Sequence, residues 1–284
     1  MTTVLDVQRF KDEGRRFAML TAYDFLSARI LDEAGIPVLL VGDSLGMVML
    51  GYPTTLPVTM DDMIHHAKAV SRGARQALLV GDMPFMSYHS STEQAIESAG
   101  RFIKEGGMHA VKLEGGGRIA DLTRLLTERG IPVMGHLGLT PQFVHQMGGF
   151  QVQGKTEAQA VRILADAKAL EAAGAFSIVL EGVPTAVAGR VTRALRIPTI
   201  GIGAGPQTDG QVLVFHDFVG LTTGKAPKFV KRYANVAEEI SNAAQRFAEE
   251  VRTGAFPAPE HEYSANGSGP SAQPARDEAK YGSG

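Results

Sequence analysis

Val38-Leu39-Leu40-Val41-Gly42-Asp43-Ser44-Leu45-Gly46 is the stretch on which the rest of the chain is patterned. Four branched apolar residues in a row read as a strand covered on both faces, the pattern of a parallel sheet. The run ends in a glycine, a carboxylate and a hydroxyl, just where the chain must leave the sheet. An ionised carboxylate at the edge of a core needs a cation or several donors. The same design returns at Ala77-Leu78-Leu79-Val80-Gly81-Asp82, at Ala110-Val111-Lys112-Leu113-Glu114 and at Ser177-Ile178-Val179-Leu180-Glu181. Four apolar strands each deliver an acid to what the pattern makes a single rim.

Working outward, Phe17–Ala22 reads as a first strand, and Asp24 as the N-cap of a helix closed by Gly35 and Pro37. Met47–Pro57 is too irregular for a helix and reads as a long loop on the active face. Thr59 caps a helix over 61–72, and Ser91 opens another that closes at Gly106-Gly107. Helical spacing of Leu122, Leu125 and Leu126 predicts a helix over 119–129. Ile131–His136 is a fifth strand, ending in an imidazole rather than an acid. Leu139–Lys155 is a glycine- and glutamine-rich excursion, long enough for a lid or an interface arm. Helices over 156–171 and 184–195, strands over 198–203 and 211–215, and a long helix over 230–252 complete the pattern. Eight strands alternating with seven or eight helices argue an α/β fold, a (β/α)8 TIM barrel. A doubly wound open sheet is the alternative, which eight regular units favour less. Residues 1–257 read as one barrel domain. Residues 258–284 turn to Ser, Gly, Pro and Ala without periodicity and read as a disordered tail.

The totals agree with that size of core. The chain has 284 residues, 44% of them hydrophobic, enough for one large barrel and too few for a membrane protein. No apolar run is long enough for a transmembrane helix, and the first residues lack the apolar core of a secretory signal. Zero cysteines exclude disulfides, thiolate zinc sites and cysteine nucleophiles together. A cytoplasmic location is the default expectation. A net charge of −2 argues against a broad nucleic-acid surface.

In such a barrel the strand C-termini converge on one face, so Asp43, Asp82 and Glu114 become neighbours. Three gathered carboxylates repel unless a hard cation sits between them. Oxygen ligation without cysteine favours Mg2+, with Mn2+ or Co2+ as substitutes. The plainer reading is that each acid caps a helix or pairs with an arginine. Lys112 shares a strand face with Glu114 and either neutralises the acids, holds a substrate carboxylate, or forms an internal ion pair with Glu114 or Asp82. Ser44 either donates to a ligand or merely starts a turn. Glu181, across the barrel, suits general-base work, or else pairs with Arg190 or Lys155. His136 between them can bond a ligand oxygen or a glutamate. Gly201-Ile202-Gly203-Ala204-Gly205-Pro206 reads as a tight rim turn approached by ligand, not a dinucleotide fingerprint, because a proline stands where the helix should begin. His65 and His66 read as surface residues.

Six blocks carry a resemblance: VGDSLGMVMLGYPTTLPVT (Val41–Thr59), DMPFMSY (Asp82–Tyr88), VKLEGG (Val111–Gly116), GHLGLTPQ (Gly135–Gln142), VLEGVP (Val179–Pro184) and GIGAGPQTDGQVLV (Gly201–Val214). Together they resemble the ketopantoate hydroxymethyltransferase family over about residues 5–260. The resemblance implies a barrel of the phosphoenolpyruvate/pyruvate-like group and a cytoplasmic homodecamer. It implies transfer of a hydroxymethyl group from 5,10-methylenetetrahydrofolate to 3-methyl-2-oxobutanoate, giving 2-dehydropantoate, in the first committed step of pantothenate biosynthesis. It implies that Asp43 and Asp82 ligate Mg2+, with Glu114 completing the metal site directly or through water. Ser44 and Lys112 then hold the substrate carboxylate, with Asp43, Asp82 and His136 also at the substrate, and Glu181 is the proton acceptor. That chemistry suits the residues: an α-keto acid chelates Mg2+, and the ion stabilises the enolate formed when the C3 proton leaves. Phe85 and Tyr88 are candidate pterin neighbours. Two rivals remain. One is a carbon–carbon lyase or phosphomutase on a similar barrel, which would call for a reactive-loop cysteine. The other is a non-catalytic binding barrel, which has no need of an unpaired Glu181.

Overall fold

The computed structural model describes residues 1–224 and 226–263. The chain divides into two compact units, Met1–Ala234 and Asn235–Gly284. Residues 264–284, most of the tail read from composition, lie outside the described residues.

In the first unit eight parallel strands close into a barrel in sequence order, β1 pairing with both β2 and β8. They are β1 (Phe17–Thr21), β2 (Val38–Val41), β3 (Leu78–Asp82), β4 (Ala110–Glu114), β5 (Val133–Gly138), β6 (Ser177–Glu181), β7 (Thr199–Ile202) and β8 (Gly210–Leu213). The α/β expectation of a closed (β/α)8 barrel therefore holds.

The helices begin with α1 (Val4–Asp12), α2 (Phe25–Glu33), α3 (Leu45–Val48) and α4 (Met60–Gly73). Next come α5 (Thr92–Lys104), α6 (Ala120–Glu128), α7 (Val144–Met147) and α8 (Glu157–Ala172). The unit closes with α9 (Thr185–Ala194) and α10 (Phe215–Phe218). Local chemistry explains the starts. Thr59 with Asp62, and Thr156 with Gln159, form capping boxes in which each side chain satisfies the other residue's backbone amide. Asp24 caps α2 by accepting from the Ser27 amide.

The strands alternate between two cores. Leu39, Val41, Leu79, Val111 and Leu113 pack outward under the helices. Leu40, Val80, Ala110, Met134 and Val179 fill the barrel interior. The inward parity continues into Asp82, Lys112, Glu114, His136 and Glu181, which explains why these polar residues line a cavity at the C-terminal rim. Asp43 has the parity of the outward residues. It reaches the cavity because β2 ends at Val41 and the chain turns before it.

Several local expectations are corrected. The N-terminal segment, to which the sequence reading assigns no element, is a helix, α1, held by a Thr3–Asp6 capping box, and its Val7 is fully buried in the interior core with Phe17. Leu45–Val48 is one helical turn at the start of the expected loop, and the 139–155 excursion carries the turn α7. β8 stops at Leu213, because Phe215 opens α10 with its amide donating to Thr21 Oγ1 at 2.8 Å. The long helix expected from Val230 begins at Val236 (α11, Val236–Thr253). The Tyr233 amide donates instead to the Phe218 carbonyl at 2.9 Å, and the two rings pack 5.1 Å apart. His66 is half-buried rather than a surface residue, its Nδ1 standing 2.6 Å from the Tyr23 carbonyl. In the second unit α11 ends at Gly254, which adopts φ 75°, a left-handed stop suited to glycine.

Candidate active site

Register assembles the site. Asp82 pairs with Lys112 across β3 and β4, Glu114 with His136 across β4 and β5, and Gly138 with Glu181 across β5 and β6. The last pairing is close: a Cβ on Gly138, which has φ +94°, would lie 2.2 Å from the Glu181 carbonyl oxygen. Glycine there lets the rim of β5 close against the strand that carries Glu181. All four rim acids, with Ser44, Lys112 and His136, line one cavity of about 800 Å3.

The acids on β2 to β4 are buried, and their contacts divide the labour. Lys112 Nζ lies 2.6 Å from Asp82 Oδ1 and 3.9 Å from Glu114 Oε1. The Asp43 amide donates to Asp82 Oδ2 at 3.2 Å. Glu114 Oε2 accepts from the Gln142 amide at 3.0 Å. His136 bridges two glutamates, with Nδ1 3.3 Å from Glu114 Oε1 and Nε2 3.1 Å from Glu181 Oε2. Ser44 Oγ lies 2.9 Å from the Tyr23 hydroxyl. Of the open readings of Lys112, the ion pair with Asp82 is present. Neither cation offered for Glu181 is its partner: Arg190 pairs with Glu157 instead, and Glu181 faces His136.

Burial and like charge shape the ionisation. Desolvation, then Asp82 and Glu114, push the Asp43 carboxyl well above the usual carboxylate range, against Lys112 and Gln142. Asp82 is also raised, by burial first and by Glu114, with Lys112 opposing. Burial pushes Glu114 up too, but His136, Lys112 and the Gln142 amide outweigh it and hold it below the usual range. Burial and Lys112 push His136 down, while Glu114 and Glu181 prevail and hold it at about 9. Lys112 stays an ammonium, since Asp82, Glu114 and Asp43 overcome its desolvation. Four acidic side chains thus crowd two cationic ones, Lys112 and His136, and burial with that crowding raises Asp43 and Asp82.

That imbalance bears on a metal. Asp82 Oδ1 and Glu114 Oε1 are buried with no properly angled hydrogen-bond donor among the described residues. Among the same residues no three His, Asp or Glu side chains form a ready-made cage. Two carboxylates, Asp43 and Asp82, with water and substrate completing the shell, match the way Mg2+ is commonly held. The residues present fit that ion.

Residues 1–259 match the family described as ketopantoate hydroxymethyltransferase. The chain belongs to the ketopantoate hydroxymethyltransferase family. It is an enzyme, a hydroxymethyltransferase. It is 57% identical over 257 residues to 3-methyl-2-oxobutanoate hydroxymethyltransferase of Syntrophus aciditrophicus (strain SB), covering 90% of this chain and 94% of the relative. It is 58% identical over 261 residues to the enzyme of that name from Thermobifida fusca (strain YX), covering 92% and 93%. The fold is shared with 2,3-dimethylmalate lyase, a member of the PEP mutase/isocitrate lyase superfamily, at TM-score 0.58 and 18% identity over 94% of this chain and 93% of that one. Phosphonopyruvate hydrolase, solved in complex with oxalate and Mg++, has TM-score 0.59 at 14% identity, with the same two coverages. No helix among the described residues is long and apolar enough to cross a membrane.

Within the ketopantoate hydroxymethyltransferase barrel one buried side chain escaped the sequence reading. Gln142 bonds Asp43, Met83 and Tyr88 through its amide and Glu114 through its backbone. Its only sequence signal is its place at the end of GHLGLTPQ. Tyr88, a candidate pterin neighbour, is a buried brace that does not line the cavity, accepting from the Glu114 amide at 3.1 Å and donating to Gln142 Oε1 at 2.8 Å. The aromatic rings that do line the cavity are Phe150 and Phe229.

Proposed function

We propose that this enzyme transfers a hydroxymethyl group from 5,10-methylenetetrahydrofolate to 3-methyl-2-oxobutanoate, giving 2-dehydropantoate in the first committed step of pantothenate biosynthesis. The observation that carries the reading is the pairing of buried Asp43, Asp82 and Lys112 with half-buried Glu181 in one cavity. The relatives' names supply the keto acid, and the resemblance supplies the folate donor and the pathway.

Asp43 and Asp82 would hold Mg2+, with Glu114 beside them directly or through water. When bound, the ion would supply a Lewis acid for the keto acid and offset the charge that grows as the substrate loses its proton. The ammonium of Lys112 lowers the repulsion between the acids and an incoming carboxylate, and Ser44 offers a hydroxyl to orient it. Glu181 removes the C3 proton as general base. His136, held as a cation between Glu114 and Glu181, keeps that carboxylate aimed. As C3 forms its new bond to the donor's methylene carbon, one of that carbon's two C–N bonds breaks and its nitrogen takes a proton. Water then displaces the second nitrogen, which leaves protonated as tetrahydrofolate, and the carbon remains as the hydroxymethyl group. The cavity is large enough for a small keto acid beside part of a folate, and its Phe150 and Phe229 rings suit a flat heterocycle. A cytoplasmic homodecamer is part of the same proposal, supported by the family resemblance alone.

The test is an assay with 3-methyl-2-oxobutanoate and 5,10-methylenetetrahydrofolate, run with Mg2+ and with chelator. Mg2+-dependent formation of 2-dehydropantoate is expected. No product with either, or equal product in chelator, would contradict the reading.

A further inference from the structure

Gln142 lies buried on the loop after β5, on a short 3-10 turn, Pro141–Phe143. Its Nε2 donates to Asp43 Oδ2 and to the Met83 carbonyl, each at 2.9 Å, which uses both amide protons. Its Oε1 accepts from the Tyr88 hydroxyl at 2.8 Å, and that hydroxyl in turn accepts from the Glu114 amide at 3.1 Å. The partners dictate which way the side chain points. Turned over, the amide would set its oxygen against a carboxylate and a carbonyl, two acceptors facing a third. The Gln142 backbone amide also donates to Glu114 Oε2 at 3.0 Å. One residue thus ties the ends of β2, β3 and β4 together beneath the acids.

The consequence falls on Asp43. Its Oδ2 is committed to Gln142, and among the described residues no hydrogen bond reaches its Oδ1. We propose that Gln142 is a positioning residue that reserves Asp43 Oδ2, leaving one carboxylate oxygen for a divalent cation, and so sets the preference for Mg2+ over Ca2+. The inference rests on the metal reading given above. Mg2+ takes six oxygens in a tight octahedron and is served by single carboxylate oxygens and water. Ca2+ takes six to eight oxygens at longer range and favours carboxylates that offer both. With Oδ2 tied to a buried amide, Asp43 can chelate through both oxygens only by breaking a charge-assisted hydrogen bond.

The experiment titrates Mg2+ and Ca2+ separately into metal-stripped wild type and Gln142→Met by calorimetry. Methionine keeps the length of the side chain and removes the amide. The ratio of the two Kd values is the readout, since general loosening of the site weakens both ions together. A shift of about tenfold or more toward Ca2+ is expected, the worth of one hydrogen bond to a charged group. Tyr88→Phe frees the Gln142 carbonyl without touching Gln142 and is expected to shift the ratio the same way by less. An unchanged ratio in a folded variant that still binds Mg2+ overturns the inference. A wild-type structure solved with Mg2+ decides the matter even if both variants fail to fold. Asp43 bound through Oδ1 alone, with Gln142 still on Oδ2, supports it, and chelation through both oxygens overturns it. Wild type that binds neither ion would bring down the metal reading itself, and the inference with it.

Discussion

The two arcs of the barrel rim are built differently. At the rim of β2 to β5 the residues that face the cavity are mainly charged and sealed: the Glu114 side chain is 1% exposed, and every acid there touches a cation or an amide. From β6 to β8 the inward residues include Val179, Ile202 and Val212, and the one acid carried by these strands, Glu181, keeps 17% of its side chain exposed. A desolvated carboxylate is costly and stays only where something positive compensates it. A partly solvated one, held by a single imidazole, stays within reach of substrate and water in the cavity. On the proposed function, this contrast would put metal and carboxylate binding on the first arc and proton transfer, with room for an apolar co-substrate, on the second.

The largest effect is expected from breaking the sealed arc. Asp43→Asn combined with Asp82→Asn should lower turnover by about a thousandfold or more and erase the heat of Mg2+ binding in calorimetry. A double variant with an intact Mg2+ response would move the metal elsewhere. Lys112→Met leaves buried acids without their ammonium. Urea unfolding of the metal-free protein should show a loss of about 3–5 kcal/mol, part of it recovered by Mg2+. No loss would mean that Lys112 does not neutralise this arc.

Proton linkage sharpens the contrast further. Asp43 and Asp82 sit above the usual carboxylate range, so the folded protein holds their protons more tightly than the unfolded chain does. Their contribution to stability is therefore full below the ordinary value of 3.8 and is lost as pH rises through the raised folded values. Mg2+ held as proposed by Asp43 and Asp82 would compete with those protons. Its affinity, measured by titration at a series of pH values, should rise with pH by up to about tenfold per unit for each proton displaced. Affinity that falls with rising pH would contradict the assignment. The smallest effect is expected outside both arcs. Arg190→Ala removes an exposed pair with Glu157 and should change unfolding free energy by less than about 0.5 kcal/mol, because that arginine does not reach Glu181.

Much of this was legible in the sequence, for physical reasons. Repeated apolar strands ending in acids specify a parallel sheet and its charged rim, and capping residues such as Thr59 and Thr156 mark helix starts accurately. Lys112, Glu114, His136 and Glu181 follow from strand parity. Asp43 does not, since its parity is outward and only the turn after Val41 brings it in. Gln142 was missed because an amide in a loop has no periodicity, and its partners lie 28 to 99 residues away. Propensity extended the last helix back to Val230, but a tertiary hydrogen bond from Tyr233 to Phe218 holds that segment out of the helix.

The most direct test of the central claim is exchange of the C3 hydrogen of 3-methyl-2-oxobutanoate for deuterium in D2O, followed by NMR without the folate donor. Wild type with Mg2+ is expected to exchange that hydrogen. Chelator should stop it, and Glu181→Gln should slow it by about a hundredfold or more while still binding Mg2+ and the keto acid. Exchange at the wild-type rate in Glu181→Gln, or without Mg2+, would contradict the account.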